Sequence, residues 1–340
     1  SFSHMRGSDE SSSSCKLTDS SNVVSMITRV PQSEFWSTVA QNIEQLLSVN
    51  SYEFEYEMLE EEFVRPLYPR RTAKLAVNKK KNRYSNILPY DKTRVNLAPK
   101  ENIEGSDYIN ANFVGASNEY IATQAPLIST MEDFWRMVHQ LKISVIIMLT
   151  REYEGSKLKA HSYWPGEGSE KYGGYEVRLF MEERVNDYIV RDFLVTSPNG
   201  EEFRTTQYQY RSWPDHDTPE SYESLLEMMS TIDSHYKEVL TENKLQPENS
   251  PMLVHCSAGI GRTGAYIALH SRIELLKKIH DKVDADGFCE IPPLSFMEIL
   301  RDLRNQRHGM ITQSIQYEFC YRALLHEVQK LANSESACAQ

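Results

Sequence analysis

The chain has 340 residues, 40 % apolar and 25 % charged, an ordinary globular composition with enough apolar mass for a buried core. A formal net charge of −11 argues against a protein whose main work is gripping nucleic acid, so any bound anion has to be captured by a local cluster. The longest strongly apolar run, Val145 to Leu149, is far too short to span a bilayer, and no N-terminal stretch reads as a secretory signal.

Along the chain, residues 1–30 are rich in Ser, Asp and Asn and read as a disordered segment, with Ser1 to Met5 set aside as an expression scar. Phe35, Val39, Ile43, Leu46 and Leu47 fall on one helical face. Thr130 and Asp133 have the spacing of a capping box opening a helix through Phe134, Trp135 and Val138. Ser144 to Leu149 reads as a buried strand. From Tyr175 to Trp213 the pattern alternates around a Pro198-Asn199-Gly200 turn, which predicts antiparallel strands. Ser221 to Val239 returns to helical periodicity, Pro251 to His255 is a short buried strand, and Thr263 to Ile279 is a helix. Pro292 and Pro293 interrupt the chain before a second capping box, Ser295 to Glu298, and helices run on to about Ala332. Strands and helices interleave without a repeat. The expected architecture is therefore a single α/β domain, residues 31–333, with a highly twisted mixed β-sheet flanked by helices and a tail at 334–340.

The five cysteines (Cys15, Cys256, Cys289, Cys320, Cys338) are odd in number and scattered, which suits a reducing, cytoplasmic setting. None forms a CxxC or CxxxxH pair, so no metal site and no cofactor are expected.

The most informative segment is Val254-His255-Cys256-Ser257-Ala258-Gly259-Ile260-Gly261-Arg262-Thr263-Gly264, between a predicted strand and a predicted helix. Mostly small residues let such a loop curl until successive N–H groups of Ser257, Ala258, Gly259, Ile260 and Gly261 converge on an anion at the helix N-terminus. A free cysteine titrates near about 8.5, and helix N-termini and cations lower that to roughly 3.5–7.5. Cys256 is thus predicted to be a thiolate nucleophile. Arg262 is suited to a bidentate grip on phosphate, and Thr263 is placed to hydrogen-bond the sulfur. A nucleotide-type phosphate loop is excluded, because no Lys follows Gly261.

HCSAGIGRTG closely resembles the HCxxGxxR[ST]G loop of the phosphotyrosine-specific, cysteine-dependent protein tyrosine phosphatases. The resemblance runs from about Phe35 to His326. Lys81-Asn-Arg-Tyr84, Asp107-Tyr-Ile-Asn-Ala-Asn112, Thr123-Gln124, Asp133-Phe-Trp135, Tyr163-Trp-Pro165, Gln209-Tyr210, Trp213-Pro-Asp215 and Leu303-Arg-Asn-Gln-Arg307 support it in order. It implies hydrolysis of phosphotyrosine in partner proteins through a cysteinyl-phosphate intermediate, by a catalytic domain of non-receptor type. Asp215 then matches the general acid/base on a mobile loop, Tyr84 the pocket wall that stacks on phosphotyrosine, and Asn86 the residue that binds substrate backbone. Glu154 resembles the glutamate that pairs with the signature arginine, and His255 the residue behind the thiolate. Gln124, Asn112 and Tyr108 resemble structural positions, and Lys79, Lys80 and Lys81 read as a solvated basic face.

Departures are Ala125, His139, Ala160 and Asp217, none of which removes a catalytic group. A more consequential one is Thr312-Gln313, where the family reads Gln-Thr; the glutamine that aligns the hydrolytic water is missing from its register or shifted by one, while Gln316 remains where a second one is expected. The competing readings are a phosphotyrosine-binding pseudophosphatase, a phosphoinositide phosphatase and a dual-specificity phosphatase. Intact Cys256, Arg262 and Asp215 oppose the first, the absence of lysines within the signature loop the second, and the Lys81–Tyr84 wall the third.

Overall fold

The computed structural model describes residues 27–338. In chain order the elements are β1 (Thr28–Pro31), α1 (Phe35–Ser48), α2 (Ser51–Glu62), α3 (Arg71–Lys74), α4 (Ala76–Lys79), β2 (Arg94–Asn96), β3 (Tyr108–Val114) and β4 (Tyr120–Thr123). There follow α5 (Met131–Gln140), β5 (Val145–Met148), β6 (Tyr153–Glu154), β7 (Lys157–Leu158), β8 (Ser169–Tyr172), β9 (Tyr175–Val185), β10 (Tyr188–Thr196) and β11 (Glu202–Tyr210). The C-terminal part comprises α6 (Tyr222–Asn243), β12 (Met252–His255), α7 (Gly261–Asp281), β13 (Phe288–Ile291), α8 (Met297–Gln306) and α9 (Ser314–Cys338).

Among the described residues, nine strands form one mixed sheet in the order β2-β3-β4-β12-β5-β11-β10-β9-β8. Its centre, β4-β12-β5-β11, is parallel, and both flanks are antiparallel. The parallel strands are covered on both faces, which is why they read as continuous apolar runs. Alternation still sorts their side chains. Val145, Ile147 and Leu149 join a core built with α1, α6, α7 and α9, whereas Ile146 and Met148 pack with Phe134 and Trp135 of α5. In the antiparallel arm β9 and β10 carry the predicted alternation, whereas β11, which also pairs with β5, is buried without a break from Thr205 to Tyr210; Gly200 turns β10 into β11 with φ +84°.

Several boundaries differ from expectation. Thr28 to Val30 belong to β1, pairing with β13, and so do not extend the N-terminal segment; the rest of the expected disorder, residues 1–26, lies outside the described residues. The tail expected from residue 334 is helical to Cys338, and the last two residues lie outside the described ones. Neither capping box forms as predicted. A 3₁₀ turn over Ile128–Thr130 precedes α5, so the Thr130 hydroxyl folds back to accept the Leu127 N–H at 2.9 Å. Ser295 accepts the Met297 N–H at 3.1 Å, but Phe296 occupies the cap position of α8. The helix expected from Thr263 begins two residues earlier at Gly261, which puts Arg262 and Thr263 in its first turn.

Candidate active site

Strand β12 ends at His255, the chain curls through Cys256 to Ile260, and α7 starts at once. Gly259 has φ +76°, and a β-carbon there would lie 2.1 Å from the Thr123 carbonyl oxygen, so only glycine fits the curl. Gly264 permits a second close approach, since a β-carbon would meet the Ile311 nitrogen at 2.7 Å. The curl is held from below by buried Arg307, whose guanidinium donates to the carbonyls of Gly259 (2.9 Å) and Ala258 (3.0 Å) and to the side chains of Asn112 (2.7 Å) and Asn110 (2.8 Å). Burial pushes that guanidinium down to about 10, still a cation at neutral pH.

Cys256 is 4 % exposed. Burial pushes its thiol up, yet the Arg262 charge, the Thr263 hydroxyl 3.3 Å from Sγ, and the Thr263 and Gly259 N–H groups together hold it below the ordinary range. Burial raises the thiols of Cys289 and Cys320 instead. One cysteine is thus set apart electrostatically from its buried neighbours.

Arg262 is buried, and its Nη1 donates to Glu154 Oε1 and to the Trp213 carbonyl (2.9 Å). Its Nε and Nη2 make no hydrogen bond within the described residues, and this edge has a geometry that can take two oxygens of an oxyanion. Glu154 stands on the two-residue strand β6 of the β6–β7 hairpin. Its Oε2 accepts the Asp215 N–H at 3.3 Å, so one carboxylate joins Arg262 to the loop that carries Asp215.

Asp215 Oδ2 lies 2.6 Å from Lys159 Nζ, and Oδ1 lies 3.3 Å from Arg262 Nη2. Burial raises the Asp215 carboxyl, but Lys159, Arg262 and His216 outweigh it and hold the group below the usual carboxylate range. Sequence reasoning missed Lys159. Its signal is a lysine just beyond a glycine-turned hairpin that starts at Tyr153, which is weak without knowledge that Ser257 fastens the hairpin by donating to the Lys159 carbonyl at 2.6 Å.

The Tyr84 hydroxyl lies 2.8 Å from Ser257 Oγ, which brings the predicted wall against the signature loop. Gln124 fixes that segment by accepting the Arg83 N–H and donating to the Lys81 carbonyl, both at 2.8 Å. Tyr108 and Asn110 both donate to Asn82 Oδ1. Asn86 is exposed beside this wall, its carbonyl 3.4 Å from Arg70. Lys79 and Lys80 are exposed, whereas Lys81 donates to the Gly105 carbonyl at 2.5 Å and is less a surface charge than a tie.

His255 is fully buried, and desolvation takes its imidazole down to about 4, so it is neutral at pH 7. Its Nδ1 lies 2.9 Å from the Cys256 carbonyl and its Nε2 2.8 Å from the Tyr163 hydroxyl. It orients the peptide behind Cys256 and brings no charge to it. Gln316 is buried, with Oε1 accepting the Thr312 N–H (3.2 Å) and hydroxyl (3.3 Å). Gln313 does not face the thiol; its amide nitrogen lies 3.5 Å from His216 Nδ1.

The sequence profile described as protein-tyrosine phosphatase matches residues 78–326, which contain every group just described. The chain belongs to the protein-tyrosine phosphatase family. It is 36 % identical over 306 residues to receptor-type tyrosine-protein phosphatase F of Danio rerio, covering 88 % of this chain and 15 % of that one. Identity is 40 % over 259 residues to receptor-type tyrosine-protein phosphatase S of Gallus gallus, covering 75 % and 16 % respectively. Against human tyrosine-protein phosphatase non-receptor type 12 it is 36 % over 271 residues, covering 78 % and 32 %. The chain therefore spans a third or less of each of these relatives, which include receptor and non-receptor types. No helix among the described residues is long and apolar enough to cross a membrane.

One group of metal-ligating side chains occurs among the described residues, with donor atoms of Asp233, His270 and Glu274 within 4.8 Å of one another. These groups already satisfy each other and their neighbours. His270 is 2.6 Å from Asp233 and 2.5 Å from the Tyr120 hydroxyl, and Lys237 and Lys277 flank Glu274 at 3.5 and 3.4 Å. In this phosphatase-family domain they clamp α6 to α7.

Proposed function

We propose that the chain hydrolyses phosphotyrosine in proteins through a cysteinyl-phosphate intermediate, with Cys256 as nucleophile, Arg262 as phosphate grip and Asp215 as general acid and then base. The observation that carries this reading is the depressed Cys256 thiol at the start of α7 beside the Nε–Nη2 edge of Arg262, which makes no hydrogen bond within the described residues and has the Asp215 carboxylate near it, 3.3 Å from Nη2. Cys256 Sγ attacks phosphorus; the S–P bond forms, the bond to the phenolic oxygen breaks, and Asp215 gives its proton to that oxygen. Water then attacks phosphorus, Asp215 takes a proton from it, and the S–P bond breaks to return the thiolate. Thr263, 3.3 Å from Sγ, stabilises the departing sulfur.

Asp215 is ionised in the arrangement described, with Lys159 and Arg262 beside it. A bound phosphate dianion engages Arg262 and adds negative charge nearby, both of which raise the carboxyl and let it carry the proton that the first step needs. The Tyr84–Ser257 contact supports a walled pocket in which the longer phosphotyrosine reaches Cys256 and phosphoserine stops short. A thiolate nucleophile is oxidised readily, which favours a reducing, cytoplasmic setting for this domain.

The test is a phosphotyrosine peptide assay with phosphoserine and phosphoinositide controls, run on the wild type and on Cys256→Ser. Turnover of phosphotyrosine alone, lost in the serine variant with peptide binding retained, is expected. Appreciable turnover by Cys256→Ser would overturn the mechanism.

A further inference from the structure

The two glutamines near the C-terminal helix face different groups. Gln316, in the first turn of α9, has its Oε1 occupied by Thr312, while its buried Nε2 makes no hydrogen bond within the described residues. That amide lies against the start of α7, since a β-carbon at Gly261 would be 3.4 Å from Gln316 Nε2. Gln313 instead meets the acid loop. Its Nε2 is 3.5 Å from His216 Nδ1, His216 Nε2 is 3.5 Å from Asp215 Oδ2, and the His216 N–H donates to Asp215 Oδ1 at 3.2 Å. With the imidazole neutral, the tautomer that carries its proton on Nε2 serves both ends: Nε2–H turns to the carboxylate and Nδ1 accepts from the glutamine amide.

Backbone conformation on both sides gives this contact its direction. His216 has φ +57°, the left-handed region that a residue bearing a β-carbon enters at a cost. Ile311, just before Thr312, has φ +60°, which is costlier for a β-branched residue. The Ile311 turn is fastened by its N–H to the Ile260 carbonyl (2.9 Å) and by Arg304 on its own carbonyl (2.9 Å). Gln313 therefore leaves a braced turn, and the braced turn decides which way it faces.

We propose that Gln313 is a positioning residue for the general acid: through His216 it latches the Asp215 loop in the arrangement described, and alignment of the hydrolytic water falls to Gln316. The transposed order Thr312-Gln313 then adds a contact to the acid loop where the family order offers a threonine. The inference rests on the phosphatase reading above. Lys159 and Arg262 also hold Asp215, so the latch contributes one neutral hydrogen bond among stronger contacts.

Rapid-mixing kinetics separate a role on the acid from a role on the water. The wild type, Gln313→Ala, Gln313→Asn, His216→Ala and the double variant Gln313→Ala/His216→Ala are compared on a phosphotyrosine peptide and on an aryl phosphate with a good leaving group. Both Gln313 variants should slow the first phenol release from phosphotyrosine, roughly three- to ten-fold for alanine, the size that one neutral hydrogen bond supports. The activated substrate, which needs little proton transfer, should be nearly spared, and the double variant should be no slower than His216→Ala alone. An unchanged first turnover in both Gln313 variants overturns the latch, whether or not steady-state turnover falls. Equal losses on both substrates also overturn it, because the effect would not pass through the acid. Absence of any turnover by the wild type would overturn the phosphatase reading itself, a result distinct from all of these.

Discussion

Lys159 Nζ lies 2.6 Å from Asp215 Oδ2, and the two residues come from segments 56 positions apart. The ammonium, held by a hairpin that Ser257 fastens to the signature loop, fixes the Asp215 carboxylate while favouring its ionised form. This contact acts on both position and proton affinity, and the two pull in opposite directions for the proton donor proposed above.

That conflict sets a pH prediction. Asp215 must carry a proton in the first step, so kcat/KM should fall as pH rises through its free-enzyme pKa. Burial raises that pKa, and Lys159 and Arg262 lower it by more. Lys159→Met should therefore move the descending limb of the kcat/KM profile to higher pH. A limb that stays in place would mean that Lys159 leaves Asp215 in the working enzyme.

Loss of the acid itself has a characteristic size. Asp215→Ala should reduce turnover of phosphotyrosine by roughly 10²–10⁴-fold, the range for a missing general acid. The loss should shrink on an aryl phosphate with a good leaving group. Equal losses on both would reassign Asp215 to a structural role.

Gln316→Ala tests the second half-reaction. Cys256, Arg262 and Asp215 remain, so the first phenol release should be unchanged, while slower hydrolysis of cysteinyl-phosphate should produce a burst of about one equivalent per enzyme. Stopped-flow recording of phenol release reads both phases. A slower first release would place Gln316 in phosphate binding instead.

The signature curl has no room for a β-carbon at Gly259, which would sit 2.1 Å from the Thr123 carbonyl oxygen at φ +76°. Gly259→Ala should destabilise the fold by more than about 1 kcal/mol and remove activity with it. Urea unfolding monitored by tryptophan fluorescence gives the first number. Unchanged stability would mean that β4 can retreat from the loop.

His255 makes stability depend on pH. Its imidazole is at about 4 in the folded chain against an ordinary 6.5, so between those values the unfolded chain binds more protons. Its contribution is complete above about 6.5 and is lost as pH falls towards about 4. His255→Asn should flatten that part of the stability profile, measured by denaturant titration at several pH values. An unaltered slope would trace the acid lability to other groups.

The sequence alone made legible the structure that is local along the chain. Cys256, Gly259, Arg262 and Thr263 lie within a few residues, so their types and spacing already describe a curled loop feeding a helix. The same holds for the buried parallel strands and the alternating arm, whose periodicities are properties of short segments. What joins distant segments was decided only by tertiary structure. Lys159 meets Asp215 across 56 positions and Arg307 meets Asn112 across 195, and no local pattern indicates which carboxylate or amide a cation will find. The capping boxes failed for the same reason: a preceding 3₁₀ turn and the position of Phe296 determined what each hydroxyl could reach. Thr312-Gln313 is the sharpest case. Its order is plain in the sequence, but the direction of Gln313 follows from the left-handed turn at Ile311, which packing against Ile260 and Arg304 stabilises and propensity alone would disfavour.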